Sequence, residues 1–351
     1  MSFLKNLFQK KESGGSVILI DIGGESVAGA YVRYEVNELP KLLYTRRLPI
    51  EIQNGEERER AMVRALSILG KNLIREGAPV LARTTGSGSA DMILVSIDAP
   101  WQETRVRTEH FEQDEPFEFT KDLFAERLKE SSITPSEKLL ADESIIGSIL
   151  NGYETHNPYG RQVRRAEIVV LTSLIEKDVA YDITSVLEGL YHTRNILPIS
   201  GSSLRYQAMR TVFPHERDSI SIDATSGSLT TIALVRKGIF VTMSNVTGSP
   251  NEDVWTATMT NELSEIAKRY PLPRTIFLLA RESDTPSLRD RLGTVDFGSL
   301  WLSDNPPKII SVMKEQMSSM VRQTATEPAD IVLLLMALYF QHQRSTLEDA
   351  L

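Results

Sequence analysis

Apolar and polar positions alternate along this chain with two different periods, and the order of those periods repeats. Val17-Ile18-Leu19-Ile20 is an apolar run closed by Asp21; Ile22-Gly23-Gly24-Glu25-Ser26 follows, then a second run, Val27-Ala28-Gly29-Ala30-Tyr31-Val32. Short apolar runs bounded by Gly and Ser read as strands joined by a tight turn. Residues 42–50 predict a third strand. Met62, Leu66, Leu69 and Leu73 recur at helical spacing, predicting an amphipathic helix over 57–76 with Gly77 placed to end it. Residues 92–97 predict a fourth strand. The same order returns 202 residues after Asp21. There Ser219-Ile220-Ser221-Ile222 is closed by Asp223 and followed by Ala224-Thr225-Ser226-Gly227-Ser228. Apolar segments at 229–235 and 239–246, a helix over 252–270 and a strand over 275–279 complete the copy. A repeated β-β-β-α-β unit predicts a duplicated, two-lobed α/β fold.

Between the copies lies a block of another kind, from about 100 to 190. Thr104, Val106, Thr108 and His110 alternate with Arg105, Arg107, Glu109 and Phe111, as in a half-buried strand. Thr120 is placed to cap a helix carrying Leu123, Phe124 and Leu128. Residues 144–153 and 167–174 predict two more strands around a turn-rich 155–160. Val179, Ile183, Val186, Leu187 and Leu190 predict a further helix. Strand, helix, strand, strand, helix is a small α+β domain inserted in the first lobe. The expected division is therefore an N-terminal segment and hinge (1–16), lobe I (17–99 and 191–215), the inserted domain (100–190) and lobe II (216–351). Past the second copy, the pattern predicts an apolar segment at 288–292, a strand at 299–302 and a helix at 307–322 with Pro early in its first turn. A last helix is expected at 329–343, buried along 331–340.

A chain of 351 residues, 41% hydrophobic and 25% charged, supports two domains with a large core. The net charge of −8 argues against a nucleic-acid footprint, which shows as clustered Lys and Arg. The dense basic cluster Arg161, Arg164 and Arg165 reads as a solvated loop. The absence of cysteine excludes disulfides, thiolate metal sites and cysteine catalysis. His110, His156, His192, His215 and His342 lack metal-ligand spacing. Gly86-Ser87-Gly88-Ser89 lacks the Lys and following helix of a P-loop and reads as surface. Glu262 and Glu265 sit on the helix expected to flank a cleft, where they either orient a water or form a solvated face. No apolar run reaches the ~18 residues of a membrane span, and no signal peptide is visible; the expected location is the cytoplasm. Phe3, Leu4, Leu7 and Phe8 gather on one side of a helix with Lys5, Lys10 and Lys11 at its flanks, the composition of a weak membrane-surface anchor. A short docked helix is the plainer alternative. Ser13-Gly14-Gly15-Ser16 reads as a flexible hinge behind it.

The turns of the two copies suggest the chemistry. A Gly/Ser turn between strands points backbone N–H groups into one concavity, an anion-binding nest. Two such hairpins across a cleft, Gly23, Gly24, Glu25 and Ser26 on one side and Ser226, Gly227 and Ser228 on the other, could clamp nucleotide phosphates. Asp21 and Asp223, at the strand ends, would then face a Mg²⁺. The set resembles the actin-like ATPase superfamily, and within it the FtsA/PilM group. Asp21 to Ser26 is similar to the superfamily's first phosphate motif, and Asp223 to Thr230 falls where the second is expected. The inserted block looks like the SHS2 domain of that group, with Asn151-Gly152-Tyr153 and Asn157-Pro158 in its order. The resemblance spans roughly 17–343. It implies an actin-like (ribonuclease H-like) fold with an inserted SHS2-type domain and a reduced lobe II, and ATP with Mg²⁺ as ligand. The departures lie on one side of the expected site. Thr225 and Ser226 stand where the family has glycines, Thr230 replaces an Asp, and 278–283 has no glycine where the adenosine motif belongs. Only about one helix fits between 246 and 274, where the family places a subdomain. The resemblance thus implies a PilM-like adaptor or scaffold, non-enzymatic or weakly so, at the inner face of the cell membrane. It would serve type IV pilus assembly by taking a cytoplasmic peptide of a membrane protein (PilN-like) against the inserted domain, with self-association left open. The alternatives are an FtsA-like cell-division adaptor, anchored through the N-terminal segment because no C-terminal amphipathic helix precedes Leu351, and an active ATPase or small-molecule kinase.

Overall fold

The structure, a computed structural model, describes residues 14–131, 135–155, 157–227, 229–249, 253–295, 297–298, 300–301 and 306–348. The anchor residues Phe3, Leu4, Leu7 and Phe8, and also His156 and Ser228, lie outside these ranges.

The first copy forms β1 (Gly15–Ile22), β2 (Ser26–Tyr34), β3 (Lys41–Pro49), α1 (Arg58–Asn72), a π turn (Leu73–Gly77), α2 (Ala78–Thr85) and β4 (Met92–Ile97). β1 is apolar from Val17 to Ile20 because both of its faces are covered: Val17 and Leu19 enter one core, Ile18, Ile20 and Ile22 the other. Gly15 and Ser16 are not hinge but strand. Gly15 pairs with Tyr34, and Ser16 donates its N–H to Asp91 Oδ2 at 2.8 Å. Gly77 does not end the helix either. A Cβ there would lie 2.6–2.9 Å from the rings of Tyr31 and Tyr44, so glycine serves close packing while the chain stays helical. Gly86, at φ 78, ends α2 in the left-handed conformation.

The inserted block is a four-stranded sheet of order β5-β8-β6-β7, formed by β5 (Gln102–Phe119), β6 (Lys138–Leu150), β7 (Tyr153–Glu154) and β8 (Arg161–Glu176). One face carries α3 (Lys121–Ser131), with Phe119, Phe124, Val163 and Ile168 in a shared cluster. Arg161, Arg164 and Arg165 belong to β8 rather than to a loop. All three are exposed, whereas Val163 and Ala166 between and beside them are buried. α4 (Lys177–Tyr191) follows β8 directly, yet Val179, Ile183 and Leu187 pack among Met62, Leu66 and Leu69 of α1. A helix contiguous in sequence with the inserted block thus completes the core of lobe I.

Beyond the block come β9 (Ile196–Ser200) and α5 (Gly201–Val212), then β10 (Ser219–Asp223), β11 (Leu229–Arg236), β12 (Ile239–Thr247), α6 (Asp253–Ala267), β13 (Thr275–Leu279), α7 (Thr285–Gly293) and β14 (Lys308–Ser311). Lobe II has the strand order β12-β11-β10-β13-β14, and lobe I has β3-β2-β1-β4-β9 with β15 (Arg322–Gln323) added beside β3. The two orders coincide, and so do the directions. The first strand of each copy is antiparallel to the second and parallel to the fourth. Each copy even shifts register at one place in its second strand, between Tyr31 and Val32 and between Leu234 and Val235. The helix expected at 307–322 is instead β14, a 3₁₀ turn over 314–317 and β15. Ile309 and Ile310 are β-branched and pair with Ile276 and Phe277, completing the copy. Of the strand expected at 299–302, residues 300 and 301 form a turn and an irregular residue, and 299 and 302 lie outside the described residues.

α8 (Ile331–Glu348) joins the lobes. Every residue from Ile331 to Phe340 is buried, in one cluster with Leu19 and Tyr34 of lobe I, Leu204 and Met209 of α5, and Phe277 and Leu279 of lobe II. The free face of the inserted sheet rests on lobe II, where Ile146, Val169 and Leu171 meet Val235, Ile239 and Phe240.

Candidate functional site

Asp21, at the end of β1, and Asp223, at the end of β10, are both buried, and both act electrostatically on the same group, Arg205 of α5. The Arg205 guanidinium donates from Nη1 and Nη2 to the two carboxylate oxygens of Asp98, at 2.9 and 2.7 Å, and from Nε to Asp223 Oδ2 at 2.5 Å. Asp98 directly follows β4, so Arg205 ties a carboxylate of lobe I to one of lobe II. The close approach depends on Gly201, one turn earlier on α5. A Cβ there would lie 2.1 Å from Asp98 Oδ1 and 2.8 Å from Arg205 Nη1. Burial alone would lower the Arg205 pKa, but the carboxylates of Asp223 and Asp98 outweigh it and raise it. Burial pushes Asp98 up to about 6 against the opposing pull of Arg205. Asp21 is also raised by burial, opposed by Arg47.

The remaining oxygens are used locally. Asp223 Oδ1 accepts from the N–H of Thr225 at 3.0 Å and from its hydroxyl at 2.6 Å. Asp21 Oδ2 accepts from Arg47 Nη2 at 3.0 Å, and Arg47 also donates to Ser26 Oγ and Asp330 Oδ2, both at 2.7 Å. Asp21 Oδ1 is buried and has no hydrogen bond among the described residues.

The two hairpins predicted to clamp phosphates are in contact with each other. A Cβ on Gly227, whose φ is +87, would fall 2.2 Å from Oε2 of Glu25, so the carboxylate lies against the opposite turn. Arg281 Nη1, from the segment that lacks the adenosine-side glycines, is 3.2 Å from the same Glu25 oxygen. Within the first turn, Gly23 N–H donates to Ser26 O at 2.9 Å, while the carbonyls of Gly23 and Gly24 accept from Trp101 Nε1 at 2.9 Å and Arg58 Nη2 at 2.8 Å. In the second, Ser226 Oγ donates to Leu229 O at 2.7 Å. Thr230 is buried and accepts from Trp255 Nε1 at 2.8 Å. The space bounded by Asp98, Arg205, Asp223 and Ser226 is about 10 Å³, room for roughly one water against the ~300 Å³ or more of a small-molecule pocket.

This donor set does not fit a divalent cation. Mg²⁺ needs near-octahedral oxygen ligands and keeps several waters. Here the guanidinium of Arg205 already lies between the carboxylates, and among the described residues no group of three or more His, Asp or Glu is spaced to hold a metal ion. Of the residues expected at the site, Asp223 and Ser226 line the small space beside Arg205, Asp21 acts on Arg205 electrostatically, and Glu25 lies against Gly227; Ser228 lies outside the described residues. Arg205, Asp98 and Arg47 were not anticipated from the sequence. Asp98 carries the signal used for Asp21 and Asp223, an Asp closing an apolar strand. Arg205 falls at helical spacing with Gly201, Ala208, Met209 and Val212, a lone cation on an otherwise buried face.

No family model matches the sequence, and no curated protein sequence matches it. Solved structures do. A PilM–PilN type IV pilus biogenesis complex is 12% identical, with a TM-score of 0.54 over 95% of this chain and 99% of that one. A Bacteroides thetaiotaomicron VPI-5482 protein of actin-like ATPase fold and unknown function is 10% identical, with a TM-score of 0.49 over 94% and 97%. The ethanolamine utilization protein EutJ from Carboxydothermus hydrogenoformans is 10% identical, with a TM-score of 0.41 over 96% of each chain. Among the described residues no helix is long and apolar enough to cross a membrane. With identical strand orders in two lobes and the likeness to PilM over almost its whole length, the chain has the actin-like ATPase fold.

Proposed function

We propose that this protein is a scaffold that works by binding, in the manner of PilM. The inserted sheet acts as an SHS2-type module, and a short cytoplasmic peptide of a membrane protein docks against it at the inner face of the membrane during type IV pilus assembly. The observation that carries the reading is the contact between the two hairpins, with Glu25 lying on Gly227 where phosphates would have to enter. A fold with its cleft filled in this way acts through its surface. The PilM–PilN complex supports the kind of partner. The start of β6 and the first turns of α4 supply an exposed apolar surface in Leu139 (44% exposed), Leu140 (46%) and Tyr181 (72%), and β6 ends its pairing with β8 at the residue before α4. Apolar side chains held exposed on regular elements are what a peptide's own apolar residues can cover.

The test has two arms on the full chain. Mg-ATP should leave the melting temperature unchanged, whereas a ligand at 100 times its Kd adds about 2.7 kcal/mol of stability; a rise with Mg-ATP would restore the ATPase reading. Leu140→Asp combined with Tyr181→Ala should weaken binding of the cytoplasmic peptides of inner-membrane pilus proteins about tenfold or more, with melting unchanged. Undiminished binding would remove the docking surface.

A further inference from the structure

We propose that Arg205 is a built-in cation that fixes the two lobes in a closed arrangement, replacing the metal-bound ligand that a nucleotide-dependent member of the fold would need for closure. Three buried carboxylates at the ends of three strands act on one another: Asp21 near the end of β1, Asp98 after β4 and Asp223 closing β10. Like charges gathered out of water repel one another and lose hydration, so the arrangement persists only with a cation among them. In this chain Arg205 of α5 binds two of them, Asp98 and Asp223, and acts on Asp21 through its charge, while Asp21 takes its hydrogen bond from Arg47.

The geometry is that of a dedicated seat. The Arg205 side chain is 4% exposed, and its planar fork grips Asp98 with two parallel hydrogen bonds, an arrangement a point charge does not reproduce. The third nitrogen reaches across to lobe II, and Thr225 completes the coordination of Asp223 from the other side. Gly201 leaves room for the fork, which any side chain at that position would obstruct. Glu25 and Arg281 form a second, more exposed link between the two copies. Closure is then a permanent property of the chain, present before any partner arrives, and it is independent of which partner the inserted sheet takes.

The test compares wild type, Arg205→Ala and Gly201→Ala by thermal melting and hydrogen exchange, each in EDTA, in Mg²⁺ and in millimolar methylguanidinium. Wild type should melt identically in EDTA and Mg²⁺. Arg205→Ala should melt about 5 °C or more lower, and exchange at residues 22–27 and 224–227 should rise about tenfold or more as the hairpins part. Methylguanidinium should recover at least half of the loss in Arg205→Ala and none in Gly201→Ala, where the arginine is still present. A Mg²⁺-dependent rise in wild type overturns the proposal, as does an Arg205→Ala protein that melts with wild type or folds but is not rescued. Should Arg205→Ala not fold, Arg205→Lys carries the comparison. It keeps the charge without the fork and should melt below wild type in EDTA, and equality with wild type overturns the proposal.

Discussion

Asp98 is the side chain in which the energetics of the crevice are most exposed to measurement. Burial raises its carboxyl from 3.8 to about 6, and Arg205 only partly offsets the effect. In the unfolded chain the same group titrates near its ordinary value, so between about pH 4 and 6 the native state holds a proton that the unfolded state has released. Stability contributed through this group is therefore highest below about pH 4, declines as pH rises to about 6, and is level above. Subtracting urea-denaturation curves of Asp98→Asn from those of wild type isolates the decline from the other carboxylates. A difference that is flat across the window, or rises with pH, contradicts the assignment. Asp21 belongs to the same balance, since its Oδ1 is buried without a hydrogen bond among the described residues. Glu56 shows the opposite sign: held by Arg64, it is lowered to about 2, so its contribution is lost only as pH falls toward that value.

Helices and strands here follow their apolar pattern closely, and the exceptions have tertiary causes. Residues 331–340 are apolar on all sides because α8 is surrounded by the lobe I sheet, α5 and lobe II. Leu334, with no exposed surface, sits within that packing, and Leu334→Ala should cost about 2–5 kcal/mol in a denaturant titration; a cost below about 1 kcal/mol would mean that α8 is not the shared core. The misread segment at 307–322 shows the limit of the pattern. Ile309 and Ile310 stand adjacent, and four residues are too few to reveal a period. Tertiary pairing with β13 decides that they are strand. Gly77 was misread for another reason. A glycine near the end of an apolar stripe signals a cap, but the aromatic rings of Tyr31 and Tyr44 that demand it come from other elements.

Besides the packing of α8, a charged joint and an apolar one hold the assembled lobes and the inserted sheet together. The charged joint is the Arg205 seat. The apolar joint is the face between the inserted sheet and lobe II, where Gly147 of β6 allows close approach: a Cβ there would be 2.4 Å from Ile239 Cγ2. Gly147→Val should lift the sheet from lobe II, raising hydrogen exchange in β6 and β12 while leaving β1 and β4 protected. Equal exchange in all four strands, with or without the substitution, would mean that the contact contributes nothing. This joint also braces from behind the sheet whose β6 carries the exposed Leu139 and Leu140.

The duplicated unit, the order of strands and helices in each copy, the inserted block and the Asp residues at the strand ends are all legible in the order of the amino acids. These depend on burial periodicity and turn chemistry over a few neighbouring residues, and both copies carry the same pattern. What those Asp residues face follows from the folded arrangement alone. Arg205 meets Asp98 across 107 positions and Asp223 across 18, and Arg47 meets Asp330 across 283. Such separations leave no periodic trace. An arginine and a metal ion satisfy a buried carboxylate equally well in composition, and only the folded distance between the groups distinguishes a nucleotide cleft from a closed one.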